Sequence, residues 1–395
     1  MSKKTLTRRD ALKTGAGAAS LLGLAGCSGD GGGGDGGGDG GDGDGGGGGG
    51  DEGTSGDGGG GGEGTSGGGT SGGDTINAAF IYQAEVGDVG WDRAHEDARQ
   101  AVTEEFDWLE TEFSEAVAPG DVQRVIEQYI SSGSDVIFGT TFGYMDPIHG
   151  MAPDYPDTVF EHCSGFKTRE NMGRYYGRLY QARFLCGVAA GLLTETNQLG
   201  YVAAFPIPEL VRQINAFVLG ARSVNSDVTA DVRWTDAWVD PPAVTQAVNA
   251  LTNEGADVIN NHQTTTAATQ TAAENEAWAF TYTTSMADAG GDWYGNSAVF
   301  NWEEFYRPTL EAVHNGNWES DAYWEGLDGG VVGLGDWGPR VPDDVKSEVQ
   351  TKQDELVNGD RTVWQGTQFE GESDSFLFGE MGSYVEGVNG EVPSS

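Results

Sequence analysis

Aromatic rings, a few acids and a small group of amides recur just after short apolar runs in this chain. Trp91 and Asp92 follow Gly90, and Phe142 and Tyr144 follow the run FGTT. Glu209 follows Phe205-Pro206-Ile207-Pro208, where the prolines stiffen the approach. Trp238 and Asp240 close a third run, Asn261-His262-Gln263 a fourth, and Met286 lies beyond a fifth. The missing patterns matter as much. No acid cluster spaced for a metal occurs at the first loop, no His-Glu-x-x-His is present, and no Gly-x-Ser-x-Gly elbow lies outside the glycine-rich stretch. Cys163 beside His162 makes no dyad in a strand, because successive side chains point to opposite faces. Metal-assisted hydrolysis, as in a secreted nucleoside hydrolase, and nucleophilic catalysis are therefore not expected, and no cofactor or metal is called for. Rings edged by a few fixed polar groups suit reversible capture of a small molecule instead.

The elements that must position these residues alternate between strand and helix. Strands are expected at 76–82, 109–116, 135–141 and 158–165, with helices at 91–106 and 120–133. In the second helix Val122, Val125, Ile126, Tyr129 and Ile130 form one apolar stripe, and Gly133 fits the position just past its end. A long helix rich in small residues is expected over 172–194. The cycle then restarts, with strands at 199–205, 231–239, 257–261, 278–283 and 297–302 and helices at 209–224, 242–254, 265–275 and 303–315. The two Gly-Ser/Ala-Asp-Val-Ile units, 133–137 and 255–259, occupy equivalent points in the two cycles. Repeated strand–helix units imply parallel sheets, and two cycles imply two similar lobes. The expected division is lobe 1 at 76–163 plus about 300–320, and lobe 2 at 164–299 plus about 321–395. The Gly- and Val-rich stretch 328–337 reads as a late connection between them. Ligands bind beyond the carboxyl ends of parallel strands, where all the residues above lie. Arg174, Arg178 and Arg183 fall in the long helix, whose Gly and Ala residues point to tight packing. Cys163 and Cys186 read as small buried hydrophobes, with a disulfide as the alternative.

Composition separates this core from its leader. Of 66 glycines, 30 fall in residues 28–75, which carry ten acids, no base and no large apolar residue, so that stretch reads as a disordered linker. A Gly-rich coil of that length reaches about 40 Å. Residues 1–27 hold Arg8-Arg9, a short apolar run and Leu24-Ala25-Gly26-Cys27. That order reads as a twin-arginine lipoprotein signal whose Cys27 becomes a lipidated amino terminus, anchoring the protein on the outer face of the membrane. The net charge of −41 disfavours nucleic acid and anionic lipid heads as partners. Acid excess with only Lys167, Lys346 and Lys352 beyond the leader is similar to proteins of salt-loving archaea. In molar salt the Debye length is ~3 Å, which screens the self-repulsion.

Several blocks, in order, carry a family resemblance: 87–95 (GDVGWDRAH), 138–147 (FGTTFGYMDP), 160–165 (FEHCSG), 175–191 (YYGRLYQARFLCGVAAG), 204–220 (AFPIPELVRQINAFVLG) and 238–241 (WVDP). Together they resemble the BMP (basic membrane protein) family of substrate-binding lipoproteins, over residues 76 to about 359. The resemblance implies a type I periplasmic-binding-protein fold, two Rossmann-like lobes with parallel sheets joined by a hinge. It also implies capture of a purine base or nucleoside and delivery, as a monomer, to an ABC permease. On that reading Trp91 is one stacking face, Phe142 and Tyr144 the opposite wall, and Asp92 an acceptor for an exocyclic amine or ribose. Phe205 and Glu209, Trp238 and Asp240, Asn261, His262 and Gln263, and Met286 complete the candidate set. Nucleoside receptors of the family carry an acid after the strand that ends at Asn261. Thr264-Thr265-Thr266 stands there, which favours a base such as adenine. A sugar ligand, or ligand sensing without transport, are the alternatives.

Overall fold

The computed structural model describes residues 75–393; the twin-arginine leader, Cys27 and the linker lie outside the described residues. The chain begins with β1 (Ile76–Ile81), β2 (Leu109–Ser114), β3 (Val136–Gly139), β4 (Val159–Cys163) and β5 (Met172–Gly177). It then lays down β6 (Gln198–Ala203), β7 (Thr229–Trp234), β8 (Val258–Asn261), β9 (Trp278–Thr283) and β10 (Tyr294–Phe300). Two short strands, β11 (Ala322–Glu325) and β12 (Val332–Leu334), return to each half in turn. The first sheet has the order β11-β5-β4-β3-β1-β2 and the second β12-β10-β9-β8-β6-β7. Every pairing is parallel except β10 with β12. The architecture is that of two α/β lobes of the type I periplasmic-binding-protein kind.

The chain crosses between sheets after β5, after β10 and after β11. This differs from the expected division at two places. Residues 172–177 are not the start of a long helix but the strand β5, which pairs with β4 and β11 in the first sheet; the helix runs only over Leu179–Leu193. Residues 322–325 likewise join the first sheet rather than the second. The physical reason lies in β5 itself. Its sequence MGRYYG has no β-branched residue, and Tyr175 and Tyr176, though on opposite faces, are both buried, so no alternation marks it. Helix Glu303–His314 packs on helix Trp91–Glu105, on the first lobe. Cys163 and Cys186 are both buried and form no disulfide among the described residues, so the disulfide alternative does not hold.

Helix Leu179–Leu193 is sealed against helix Pro208–Val224 by glycine. A Cβ on Gly187 would fall 1.9 Å from the Phe217 carbonyl oxygen, and one on Gly220 the same distance from that of Phe184. The backbones touch because these positions have no side chain. Gly187→Ala or Gly220→Ala should therefore lower stability by about 3 kcal/mol or more, since only backbone movement can relieve the clash. Gly150→Ala, whose Cβ would meet nothing within 4 Å, should be close to neutral. Chemical denaturation of the three variants in molar salt tests this; equal midpoints would refute the close-contact account.

Candidate ligand-binding cleft

A cavity of about 250 Å³ lies between the lobes, at the carboxyl ends of both sheets. Lobe 1 supplies Gln83 and Ala84 after β1, Trp91 and Asp92 at the start of the next helix, Thr141 and Phe142 after β3, Ser164 after β4, and Tyr176 from β5. Lobe 2 supplies Glu209 at the head of its second helix, Trp238 and Val239 after β7, His262 and Thr264 after β8, and Tyr282 from β9. This volume sits near the lower end of the ~300–1,000 Å³ common for ligand sites, so it suits a small ligand.

Of the ten residues singled out by sequence, Trp91, Asp92, Phe142, Glu209, Trp238 and His262 line this cavity. Tyr144, Phe205, Asn261 and Met286 do not, and each has a local reason. Phe142–Tyr144 is a 3₁₀ turn at roughly 120° per residue, so residues two apart face differently. Phe142 meets the cavity, while the Tyr144 hydroxyl donates to the Val117 carbonyl, 2.6 Å away, in the core. Phe205 lies behind the wall, edge-on to Trp238 with ring centroids 5.5 Å apart. Asn261 is buried with its carbonyl taken by Arg183, and Met286 is buried beside Thr269. Gln263 braces the Trp238 loop through the Thr235 hydroxyl and the Ala237 carbonyl. Asp240 caps the next helix, accepting from the Ala243 N–H at 3.0 Å.

The rings are held at fixed angles. The Trp91 indole N–H donates to the Thr140 carbonyl at 2.8 Å, and its edge packs against Phe300 and Trp302. Its ring therefore offers a face rather than a hydrogen bond. His262 stacks on Tyr282 with centroids 3.9 Å apart. Its Nδ1 lies 3.3 Å from Nη2 of Arg183. A guanidinium only donates, so Nδ1 accepts, and the neutral ring carries its proton on Nε2. The indole N–H of Trp238 is shielded from water and has no hydrogen-bond partner.

The two acids differ in setting. Burial pushes the Asp92 carboxyl up to about 6, against the opposing pull of backbone N–H groups at Gln83 and Ala84. Glu209 accepts from the Tyr176 hydroxyl, a bond that reaches from lobe 1 to lobe 2. A second bond crosses nearby: the Gly90 N–H donates to the Thr284 hydroxyl at 2.9 Å. Gly90 has φ of +104°, and a Cβ there would come within 3.0 Å of Thr264 on the other lobe. The lobes thus meet at the rim in a closed arrangement.

Tyr176 was hidden from sequence reasoning by the helix expected at 172–194. Gln83 and Thr264 sat in loops that the parallel-sheet rule had already marked. Tyr282 needed the end of β9, which the apolar run 278–283 located.

Residues 75–361 match the family model Bmp, described as ABC transporter substrate-binding protein PnrA-like. The chain is 53% identical over 392 residues to a putative ABC transporter glucose-binding protein of Haloferax volcanii, covering 99% of both chains. It is 36% identical over 333 residues to a purine-binding protein of Brucella abortus, covering 81% of this chain and 95% of that one. Among solved structures, an ABC transporter solute-binding protein from Conexibacter woesei superposes with a TM-score of 0.64 at 19% identity, over 73% of this chain and 98% of that one. That likeness speaks for the fold.

Two consequences follow from the geometry. Unfolded Asp92 titrates near ~3.9, so between there and about 6 the folded protein holds a proton that the unfolded chain lacks. This group's contribution to stability therefore falls as pH rises through about 6. Asp92→Asn should be stabilised relative to the wild type at about pH 7.5 and lose that advantage by about pH 4.5; parallel melting curves across that range would refute the raised pKa. Thr284→Val removes a rim bond worth ~1 kcal/mol at a residue that does not line the cavity. Small-angle scattering of the ligand-free protein should show a more open particle, and an unchanged curve would mean the bond does not bias closure.

Proposed function

The chain belongs to the Bmp family of ABC transporter substrate-binding proteins, and from that premise we propose that its cleft captures a purine base or nucleoside and hands it to a membrane permease. The observation that carries this reading is the lining. Five of its fourteen residues are Trp, Tyr or Phe (Trp91, Phe142, Tyr176, Trp238, Tyr282), and His262 adds a sixth flat ring. A flat π-surface gains ~1–3 kcal/mol from each good stack. Its edge meets the Asp92 carboxylate and the His262 ring nitrogen, a mix of acceptor and donor that suits a purine edge. The Brucella abortus relative is named for purine binding.

Glucose is the second reading, favoured by the printed name of the Haloferax volcanii relative. A hexose also stacks on Trp. It presents hydroxyls all round, and this cavity offers two carboxylates, Asp92 and Glu209, the second already engaged by Tyr176. The leader completes the proposal: a twin-arginine signal, lipidation at Cys27 and a Gly-rich tether would hold the receptor on the outer membrane face. Among the described residues no helix is long and apolar enough to cross a membrane. The Haloferax volcanii and Brucella abortus relatives are named as binding proteins, and the reading assigns no covalent chemistry to the cleft.

Calorimetric titration in molar salt with adenine, guanine, adenosine, inosine, ribose and glucose decides between the readings. At least one purine should bind at micromolar affinity or tighter, and Trp91→Ala should weaken it at least tenfold, about 1.4 kcal/mol. Tight glucose binding with silence across the purines would overturn the purine assignment and leave the transport class intact.

A further inference from the structure

A second cavity, of about 420 Å³, opens beside the first and shares Phe142 and Glu209 with it. One wall comes from β5 and β11 through Arg174 and Trp324, and another from helix Asp374–Gly379 through Phe378. That helix lies beyond residue 361, where the family match ends. It is firmly attached. Arg178 clamps both oxygens of Asp374, at 2.9 and 2.6 Å, from the lobe 1 side. Arg212 in lobe 2 donates to the carbonyls of Leu377 and Phe378, and Asn215 to that of Ser383 at 2.9 Å. A C-terminal strap thus spans both lobes and closes a chamber that the family-matched core alone would leave open.

The chamber's chemistry is lopsided. Four aromatic side chains face it, and one cation, Arg174, lies over the Phe378 ring at 5.2 Å. Nη1 of Arg174 is shielded from water without a hydrogen-bond partner, and among the described residues no ion pair holds the guanidinium. Burial lowers its pKa, with Asp321 pulling the other way. The acids in the same walls are otherwise served: Asp374 by Arg178 and Glu209 by Tyr176, while Glu380 is exposed. Among the described residues no carboxylate pairs directly with Arg174; Asp321 attracts it from beyond ion-pair distance.

We infer that this chamber is a second binding site, for a small carboxylate carried on a flat apolar body. The carboxylate takes the Arg174 guanidinium, whose planar fork matches two carboxylate oxygens. The ring lies among Phe166, Trp324 and Phe378. Glu209, Asp374 and Glu380 border the same space, so a monoanion is repelled less than a dianion such as phosphate. Because Phe142 and Glu209 border both cavities, occupancy of one alters the walls of the other.

Benzoate is the probe, with benzamide as its neutral counterpart of the same shape. Calorimetric titration of the full-length protein should show saturable benzoate binding, with benzamide at least tenfold weaker. Arg174→Gln should weaken benzoate at least tenfold and leave benzamide unchanged. Phe378→Ala, which spares the charge, should weaken both probes at least threefold. No saturable benzoate binding, equal affinity for benzoate and benzamide, or full benzoate affinity in folded Arg174→Gln would each overturn the proposal. The comparison of the two probes on the wild-type protein stands even where a variant fails to fold.

Discussion

A single buried guanidinium organises the ligand-facing end of lobe 2. Arg183 sits inside helix Leu179–Leu193 with no exposed surface. An ion taken out of water without compensation is strongly unfavourable. Here the compensation is made of dipoles and rings. Nη1 donates to the Asn260 side chain at 2.6 Å and the Thr281 carbonyl at 3.0 Å; Nη2 donates to the Asn261 carbonyl at 2.9 Å. The Tyr201 and Tyr282 rings lie 5.9 and 5.3 Å from the guanidinium carbon. The charge therefore pins the carboxyl ends of β8 and β9 to one helix. His262, next in the chain, is oriented by the same group and stacks on Tyr282. Two of the cavity's walls are thus fixed by a residue that never reaches the cavity.

The glycine seam explains why that residue can be there at all. Gly187 and Gly220 let helix Leu179–Leu193 lie backbone to backbone on helix Pro208–Val224, which carries Glu209 into the cleft. Packing and site geometry are consequently one constraint. The acidity of the surface is a separate matter. Asp92 is raised by its own burial first, with Glu115 a minor like-charge contributor. Molar salt screens exposed charges beyond ~3 Å but leaves a desolvated carboxyl largely untouched. The cleft's electrostatics are therefore set locally, in a molecule whose net charge is −41.

Much of this was legible in the sequence, for physical reasons that can be named. The apolar run 278–283 is β9 to the residue, because Gly-free sequence rich in β-branched and aromatic residues has few other options. Gly133 ends its helix with φ of +94°, as a glycine just past an apolar stripe should. Loops after parallel strands were marked as the site, and six of ten residues chosen from them line it. The failures have causes too. Tyr144 sits two residues past Phe142 in a 3₁₀ turn and Asn261 one position before His262, and sequence spacing alone does not resolve side-chain direction. Strand β5 was hidden because Gly173 packs against Glu161 and Gly177 against Val332 and Phe300, contacts supplied by segments distant in sequence. Nothing local distinguishes such a strand from the start of the small-residue helix that follows. The strap beyond residue 361 is tied to the lobes by partners distant in sequence, Arg178, Arg212 and Asn215 among them.

The rim bonds also bound how the cleft can work. A neutral bond such as Gly90 to Thr284 is worth ~0.5–1.5 kcal/mol net, and one to a charged partner, such as Tyr176 to Glu209, ~1.5–3. Their sum stays under the ~5.5 kcal/mol needed to turn a 1:99 equilibrium into 99:1. These two bonds alone therefore do not lock the lobes together. The remainder must come from a ligand that binds the closed form better, and only differential contact can do that. Trp91 and Phe142 belong to lobe 1, Trp238 and His262 to lobe 2, so a flat molecule between them gains both sets of contacts only when the lobes meet. A ligand that touches both lobes would add to the two rim bonds only in the closed arrangement.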